Sequence, residues 1–571
     1  MGRESISHSG INVEGTILKK LTLMRLLAIV FTFALVATAC GSDSVSDTVS
    51  DVGDAAQDAV SDDDDDAMDD EAMDDEAMDD EAMDDEGDGE TAGGSVDEDT
   101  ANDAVADAAD EEVTDGGVVT TSIEDLEAEW AEARAAIVAD IKAAGYGVDG
   151  DTLTGPGGWS IDLSACPSDW SDTAGISDGT IKIGHTTAQS GALASYGNIG
   201  VGMGAYFDYV NENGGVGPDG LQIDLQIKDD AYVATQTQEL VAELLQSEDP
   251  FYIQTLGSPN TFAVQGTLND NCVPQPMSMT GHQAWGDPDN NPWTTGLQLS
   301  YATESLLWGS WIEANYPDGG VNVAALVMDN DFGLAYEQAF DRFAEESDII
   351  ESVAFVRHDP AAATLTNEVT TLASSGPDVF IAMTAGNPCV LAIEEAARSG
   401  ITDIATALFM PSVCKAVSAY MAPPGEASDN WLIFGGGWKD STDPQYADDT
   451  YIAWMNDRID DAGLDTSVSL YASGYGQFGW PAVQALQIAA ELDGGLSRTN
   501  YMIALRALRM DHPALLEGIE FGQDGSNDSY LVEGSDLSRF SFADQSWIIE
   551  GGVIDLDGES PNCAWVAGEG C

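Results

Sequence analysis

Three short stretches concentrate the groups that can grip a small anion: Ser190 to Tyr196, Gly257-Ser258-Pro259-Asn260-Thr261, and Thr280-Gly281-His282. They offer side-chain hydroxyls and backbone N–H groups, with no lysine or arginine among them. Such a set can hold a carboxylate by hydrogen bonds, best where a helix N-terminus adds unpaired N–H groups and its positive dipole end. Signals for covalent chemistry are weak. Glycines 197, 200, 202 and 204 lack the Gly-x-Gly-x-x-Gly spacing of a dinucleotide loop and fall in a helical pattern, where they permit close helix packing. Neither a phosphate-binding P-loop nor a His-Glu-x-x-His zinc motif occurs. No enzymatic activity and no cofactor are expected.

Those stretches need elements that bring them together. From residue 179 onward, short β-branched runs alternate with helical stretches, the pattern of a parallel sheet covered by helices. Strands are expected at Ile181 to Gly184, Leu221 to Lys228, Phe251 to Leu256 and near Pro276 to Met279. Helices are expected at Leu193 to Glu212, Thr235 to Leu245 and near Phe262 to Leu268. A second series runs from Val321 to Met328, through a helix at Tyr336 to Phe343, to strands 352–356, 378–383, 405–410 and 431–434. Helices near 445–461, 477–492 and 498–510 and short terminal strands follow. The expected fold class is α/β, with two doubly wound, Rossmann-like lobes joined by a hinge. Lobe 1 would take about 179–301 and 435–520, and lobe 2 about 302–434 and 521–571. Ligands in such sheets bind beyond the carboxyl ends of the strands, which puts the three stretches on one edge.

The segment Ile181-Lys-Ile-Gly-His-Thr-Thr-Ala-Gln-Ser190-Gly-Ala-Leu-Ala-Ser-Tyr196-Gly carries a family likeness, as do Tyr209-Val-Asn-Glu-Asn-Gly-Gly215-Val-Gly and the strand ending Lys228-Asp-Asp230. They resemble the opening of the periplasmic binding proteins for branched-chain amino acids, and the resemblance extends to about residue 555. It implies a type I, Venus-flytrap receptor that closes on a small molecule and delivers it to an ABC permease, working as a monomer. By resemblance, Ser258 and His282 occupy the places of the family's carboxylate-binding hydroxyls. Thr280 offers its carbonyl to the ligand amine beside Gly281, Tyr196 forms a cleft wall, and Phe332 stands where a tyrosine is usual. Thr384, after strand 378–383, joins the candidate contacts. The family's amine-binding glutamate is replaced by Ser412, and His282 stands in place of a threonine. A buried ammonium without a countercharge is costly, so amides and amine-free acids become comparable candidates to α-amino acids. His185 and His282 could approach one another in the cleft; they are read as hydrogen-bonding groups, and no metal is expected.

The N-terminus points to export. Lys19, Lys20 and Arg25 precede an uncharged run from Leu26 to Val36, then Ala37-Thr38-Ala39-Cys40, which describes a signal peptide over 1–39. The junction resembles a bacterial lipobox, implying lipidation at Cys40 and an extracytoplasmic chain held at the membrane by that lipid. Met24 is a plausible true start. Residues 40–120 read as a flexible acidic stalk, with Asp62 to Asp66 and four tandem Ala-Met-Asp-Asp-Glu units over 67–86. Residues 121–178 read as a helix (122–143, stopped by Gly145) plus a connecting segment.

Acids outnumber bases by 102 to 18, and no basic patch exists, so nucleic acid is excluded as a partner. Setting Cys40 aside leaves six of seven cysteines, an even set that suits disulfides outside the cytoplasm. Cys389 and Cys414 follow adjacent parallel strands and can reach one another. Cys166 with Cys272, and Cys563 with Cys571, are the remaining pairings suggested. The same closure would serve a lipid-anchored sensor, and an acidic surface adhesin is a third class; both stay open at this point.

Overall fold

The computed structural model describes residues 95–111 and 117–565. Cys40, the signal peptide, the aspartate-rich repeats and Cys571 lie outside them. A small antiparallel sheet comes first, of β1 (Gly147–Asp149), β2 (Thr152–Thr154) and β3 (Ser160–Asp162). β4 (Ile176–Ser177), β5 (Thr180–Thr187), β6 (Gln222–Asp229) and β7 (Tyr252–Thr255) make the first-lobe sheet, in which β6 and β7 flank β5 in parallel. The strand expected near 276–279 is reduced to a single bridge between Leu256 and Met279. Pro274 and Pro276 cannot donate to a ladder, and Met277 takes a positive φ of 48°.

The second-lobe sheet holds β8 (Val321–Met328), β9 (Ile350–His358), β10 (Val379–Met383), β11 (Ala407–Met410), β12 (Leu432–Phe434), β13 (Ser535–Ser541) and β14 (Ser546–Ile554). Their order is β14-β13-β12-β11-β10-β8-β9, parallel from β9 to β12 and antiparallel at the other edge. β8 and β10 are apolar along almost their whole length because helices cover both faces, and separate buried clusters lie on the two sides. Each sheet thus has its own core, as the two-lobed type I binding-protein fold requires. The Cys389–Cys414 disulfide joins the ends of neighbouring strands (Cα–Cα 6.1 Å), and Cys166–Cys272 ties the connecting segment to the first lobe (5.6 Å).

The expected stalk ends earlier than residue 120. Residues Glu98–Asp110 form a helix, capped by Asp97, whose carboxylate accepts the Thr100 N–H at 2.8 Å. Val96, Ala101, Val105 and Ala108 are buried in the second-lobe core, against the helix Tyr301–Asn315 and β14. So small an apolar face is hidden in an acid-rich sequence, which is why composition alone reads as disorder. The next helix, Ile123–Ala144, starts at the Ser122 cap and stops at Gly145, φ 74°. It packs on the first lobe instead, Trp130 lying edge-on to Tyr451 and Trp480 and Arg134 donating to Gln484 at 2.5 Å. The N-terminal arm therefore touches both lobes. Among the described residues, no helix is long and apolar enough to cross a membrane.

Candidate functional site

A cavity of about 160 Å³ opens where the lobes face each other. The first lobe lines it with Tyr196, Gly257 and Thr280, and the second with Phe332, Ala385 and Ser412. Local sequence explains the first wall. After β7 the chain turns through Gly257 at φ 92° and starts the helix Ser258–Asp270, with Pro259 in its first turn. A side chain at Gly257 would put its Cβ 2.2 Å from the Tyr232 ring, so only glycine fits this turn at the cavity wall. Thr280 is buried and lines the cavity, its Oγ1 sharing a 2.6 Å hydrogen bond with Ser258 Oγ. Ser258 itself is fully buried and does not line the cavity; it holds Thr280 in place.

Tyr196 spans the cleft. Its hydroxyl donates to the Val413 carbonyl (3.3 Å) and accepts the Gly386 N–H (3.1 Å), both in the second lobe. Burial pushes its pKa well up, so it is a neutral donor and acceptor. Gly386 makes the approach possible, since a Cβ there would sit 2.2 Å from Leu193.

The other expected residues fall in different surroundings. His282 lies outside the cavity wall, edge-on to Phe262 and Trp565, while its Nδ1 accepts the Ala284 N–H and caps the turn Gln283–Gly286. Burial lowers its pKa to about 3, so it is neutral. Gly281 is packed against the Leu299 carbonyl and the Tyr301 ring, and Thr384 is buried with its hydroxyl on His358 Nε2 at 2.9 Å. His185 does not approach His282. It sits inside β5 with Nδ1 on the Gln254 carbonyl, beneath Gly200, and burial lowers its pKa to about 4. Among the described residues, no group of three or more His, Cys, Asp or Glu is placed to hold a metal ion.

Two features escaped the sequence reading. The first is Glu304, on the helix Tyr301–Asn315, fully buried behind Ser412. Its Oε1 accepts the Ser412 N–H at 2.6 Å, and its Oε2 accepts the Ser412 hydroxyl at 2.9 Å and the Tyr336 phenol at 2.8 Å. Burial raises its pKa to about 7, while the hydrogen bonds from Ser412 and Tyr336 pull it down. Ser412 stands in place of the family's glutamate, and a carboxylate reaches it from behind, from a helix 108 residues earlier. The available signal was a lone acid in a run of otherwise uncharged, mostly apolar or small residues from Tyr301 to Ile312.

The second feature is a pair of lysines lining the far end. Lys415 pairs with Asp536 at 2.8 Å. Lys439 pairs with Asp449 at 3.0 Å and donates to the Gly117 carbonyl of the N-terminal arm at 2.7 Å. Burial lowers the Lys439 pKa and Asp449 holds it up. Both ammonium groups are thus matched by acids, and the cavity gains polarity there without a net positive charge.

This architecture has known counterparts. Residues 180–534 match the family model described as periplasmic binding protein. No curated protein matches the chain in sequence. Solved structures of the same fold include a fatty acid ABC transporter substrate-binding protein from Thermomonospora curvata, with TM-score 0.57 and 17% identity. That alignment covers 68% of this chain and 95% of that one. A branched-chain amino acid ABC transporter protein from Thermus thermophilus with bound valine gives TM-score 0.55 and 15% identity, covering 66% and 96%. A solute binding protein from Rhodopseudomonas palustris BisB5 in complex with 3,4-dihydroxy benzoic acid gives 0.55 and 18%, covering 66% and 98%. At these identities the structures speak to fold alone, whereas the family model spans more than half of the sequence. The chain belongs to the periplasmic binding protein family, with the type I fold.

Proposed function

We propose that this protein is the solute-binding component of an ABC transporter, capturing a small carboxylate or amide between its lobes and delivering it to a membrane permease. It works outside the cytoplasm, anchored by a lipid on Cys40, and is not an enzyme. The observation that carries this reading is the cavity between the lobes, with Gly257 and Thr280 on one wall, Phe332 and Ser412 on the other and Tyr196 hydrogen-bonded across. An apolar cavity with a few convergent polar groups suits a small molecule that is gripped at one end and packed along the rest. Valine and 3,4-dihydroxy benzoic acid, bound by proteins of this fold, bracket the ligand size and supply the first candidates. Calorimetric titration of the mature chain with amino acids, amides, keto acids and aromatic acids tests the reading. One-to-one binding of a member of this panel is expected; heat-silent titrations across all of them contradict it.

A further inference from the structure

Glu304 passes behind the second-lobe wall with both oxygens engaged, by the Ser412 N–H, the Ser412 hydroxyl and the Tyr336 phenol. A serine hydroxyl has one proton and two lone pairs. With that proton committed to Glu304, Ser412 Oγ faces the cavity as an acceptor only. The opposite wall, where Gly257 and Thr280 line the cavity, carries no such charge-backed acceptor. Building on the solute-binding function above, we propose that Glu304 is a specificity-determining positioning residue. Acting through Ser412, it selects ligands that bring a hydrogen-bond donor to that wall. The ligand class that follows is a small molecule that brings a hydroxyl, amide N–H or ammonium to Ser412. An acceptor placed at Ser412 would leave two lone-pair groups facing each other out of water, and buried sites reject such mismatches strongly.

The buried charge strengthens the preference, because a carboxylate one hydroxyl away from the cavity attracts a positive or hydrogen-rich group. The titratable groups that face Glu304 are Tyr336 and, on its own helix, Tyr301. Burial raises the pKa of both phenols, so they stay neutral, and among the described residues no cation pairs with Glu304.

Glu304→Gln tests the proposal because it is isosteric and reverses the hydrogen-bond order. The glutamine oxygen must accept the Ser412 N–H, which turns its NH2 toward Ser412 Oγ and sends the serine proton into the cavity. The probes are two pairs differing in one donor, leucine against 4-methylpentanoate and 4-hydroxybenzoate against benzoate, titrated at pH 8. The wild-type chain is expected to favour the donor-bearing member of a pair at least tenfold, and Glu304→Gln to bring that ratio to about one or invert it. An unchanged ratio in the variant, or a wild-type preference for the member without the donor, overturns the proposal. A structural role alone would weaken both members equally and leave the ratio in place.

A ligand-free arm separates this proposal from the function beneath it. The infrared carboxyl band that disappears in Glu304→Gln is titrated in the wild type and in Ser412→Ala. Loss of the serine hydroxyl is expected to raise the midpoint; an unmoved midpoint means the hydrogen bond is not made, and the proposal falls. If the midpoint rises but none of the four probes binds the wild type, the solute-binding function fails, and ligand selection by Glu304 fails with it.

Discussion

On the first-lobe wall, Gly257 and Thr280 line the cavity with their own donors engaged inside the lobe, the Gly257 N–H by the Met279 carbonyl and the Thr280 hydroxyl by Ser258 and Tyr301. On the second-lobe wall, Ser412 reaches the cavity backed by the buried carboxyl of Glu304. The two walls were built differently from the same materials. The first takes its shape from backbone geometry, a glycine at φ 92° packed against Tyr232. The second takes its polarity from a side chain that arrives from a distant helix and acts through a serine. The contrast gives the cleft a direction: the donor-bearing end of a ligand fits against Ser412.

Destroying the first wall should have the largest effect. Gly257→Val forces a branched residue into a positive-φ position and a Cβ against Tyr232. We expect at least a hundredfold loss of ligand affinity by calorimetry and a loss of stability of about 2–4 kcal/mol in urea denaturation. Wild-type affinity in this variant would remove this turn from the site.

On the second wall, the pH dependence of stability isolates Glu304. Its pKa in the fold, about 7, lies above the ordinary 4.5, so the folded state binds its proton more tightly than the unfolded chain. Its contribution is then fully present below about pH 4.5 and is lost as the pH rises through 7. The stability of wild type relative to Glu304→Gln should fall over that window by at most about 3 kcal/mol. A difference that stays flat, or rises with pH, shows a carboxyl that is not buried as described.

Smaller changes sharpen the contrast. Thr280→Val keeps the shape and removes the hydroxyl, leaving Ser258 without that partner, and should weaken binding by about 1–3 kcal/mol. Ser258→Ala should cost less, because Ser258 acts through Thr280. If the order were reversed in titration calorimetry, Ser258 would be the direct contact. Tyr196→Phe removes the hydrogen bonds that cross the cleft to Val413 and Gly386 and should weaken binding by about 1 kcal/mol, mainly through a faster off-rate. An unaltered off-rate would mean these bonds do not hold the closed form.

The first wall was largely legible in the sequence because its parts are local. A strand, a glycine and a helix-starting proline follow one another from 252 to 259, and the strand pattern placed the loops on one edge. The Cys389–Cys414 pairing was legible for the same reason, as both cysteines follow neighbouring parallel strands. The second wall was not, because Glu304 and Ser412 meet only through the packing of a helix against a sheet. His282 shows the opposite failure. Its position after the Thr280 turn was right for a cavity contact, but Phe262, Trp285 and Trp565 form an aromatic pocket that takes the ring instead. The helix Glu98–Asp110 was invisible because three alanines or valines of its buried face are too few to stand out among acids.

The most direct measurement of the central claim is a calorimetric titration panel run in parallel on wild type, Thr280→Val and Gly257→Val. A one-to-one binder is expected in the wild type, weakened in Thr280→Val and absent in Gly257→Val although both variants stay folded. Binding that is equal in all three chains would place the ligand elsewhere, and a wild type that binds nothing in the panel would contradict the account.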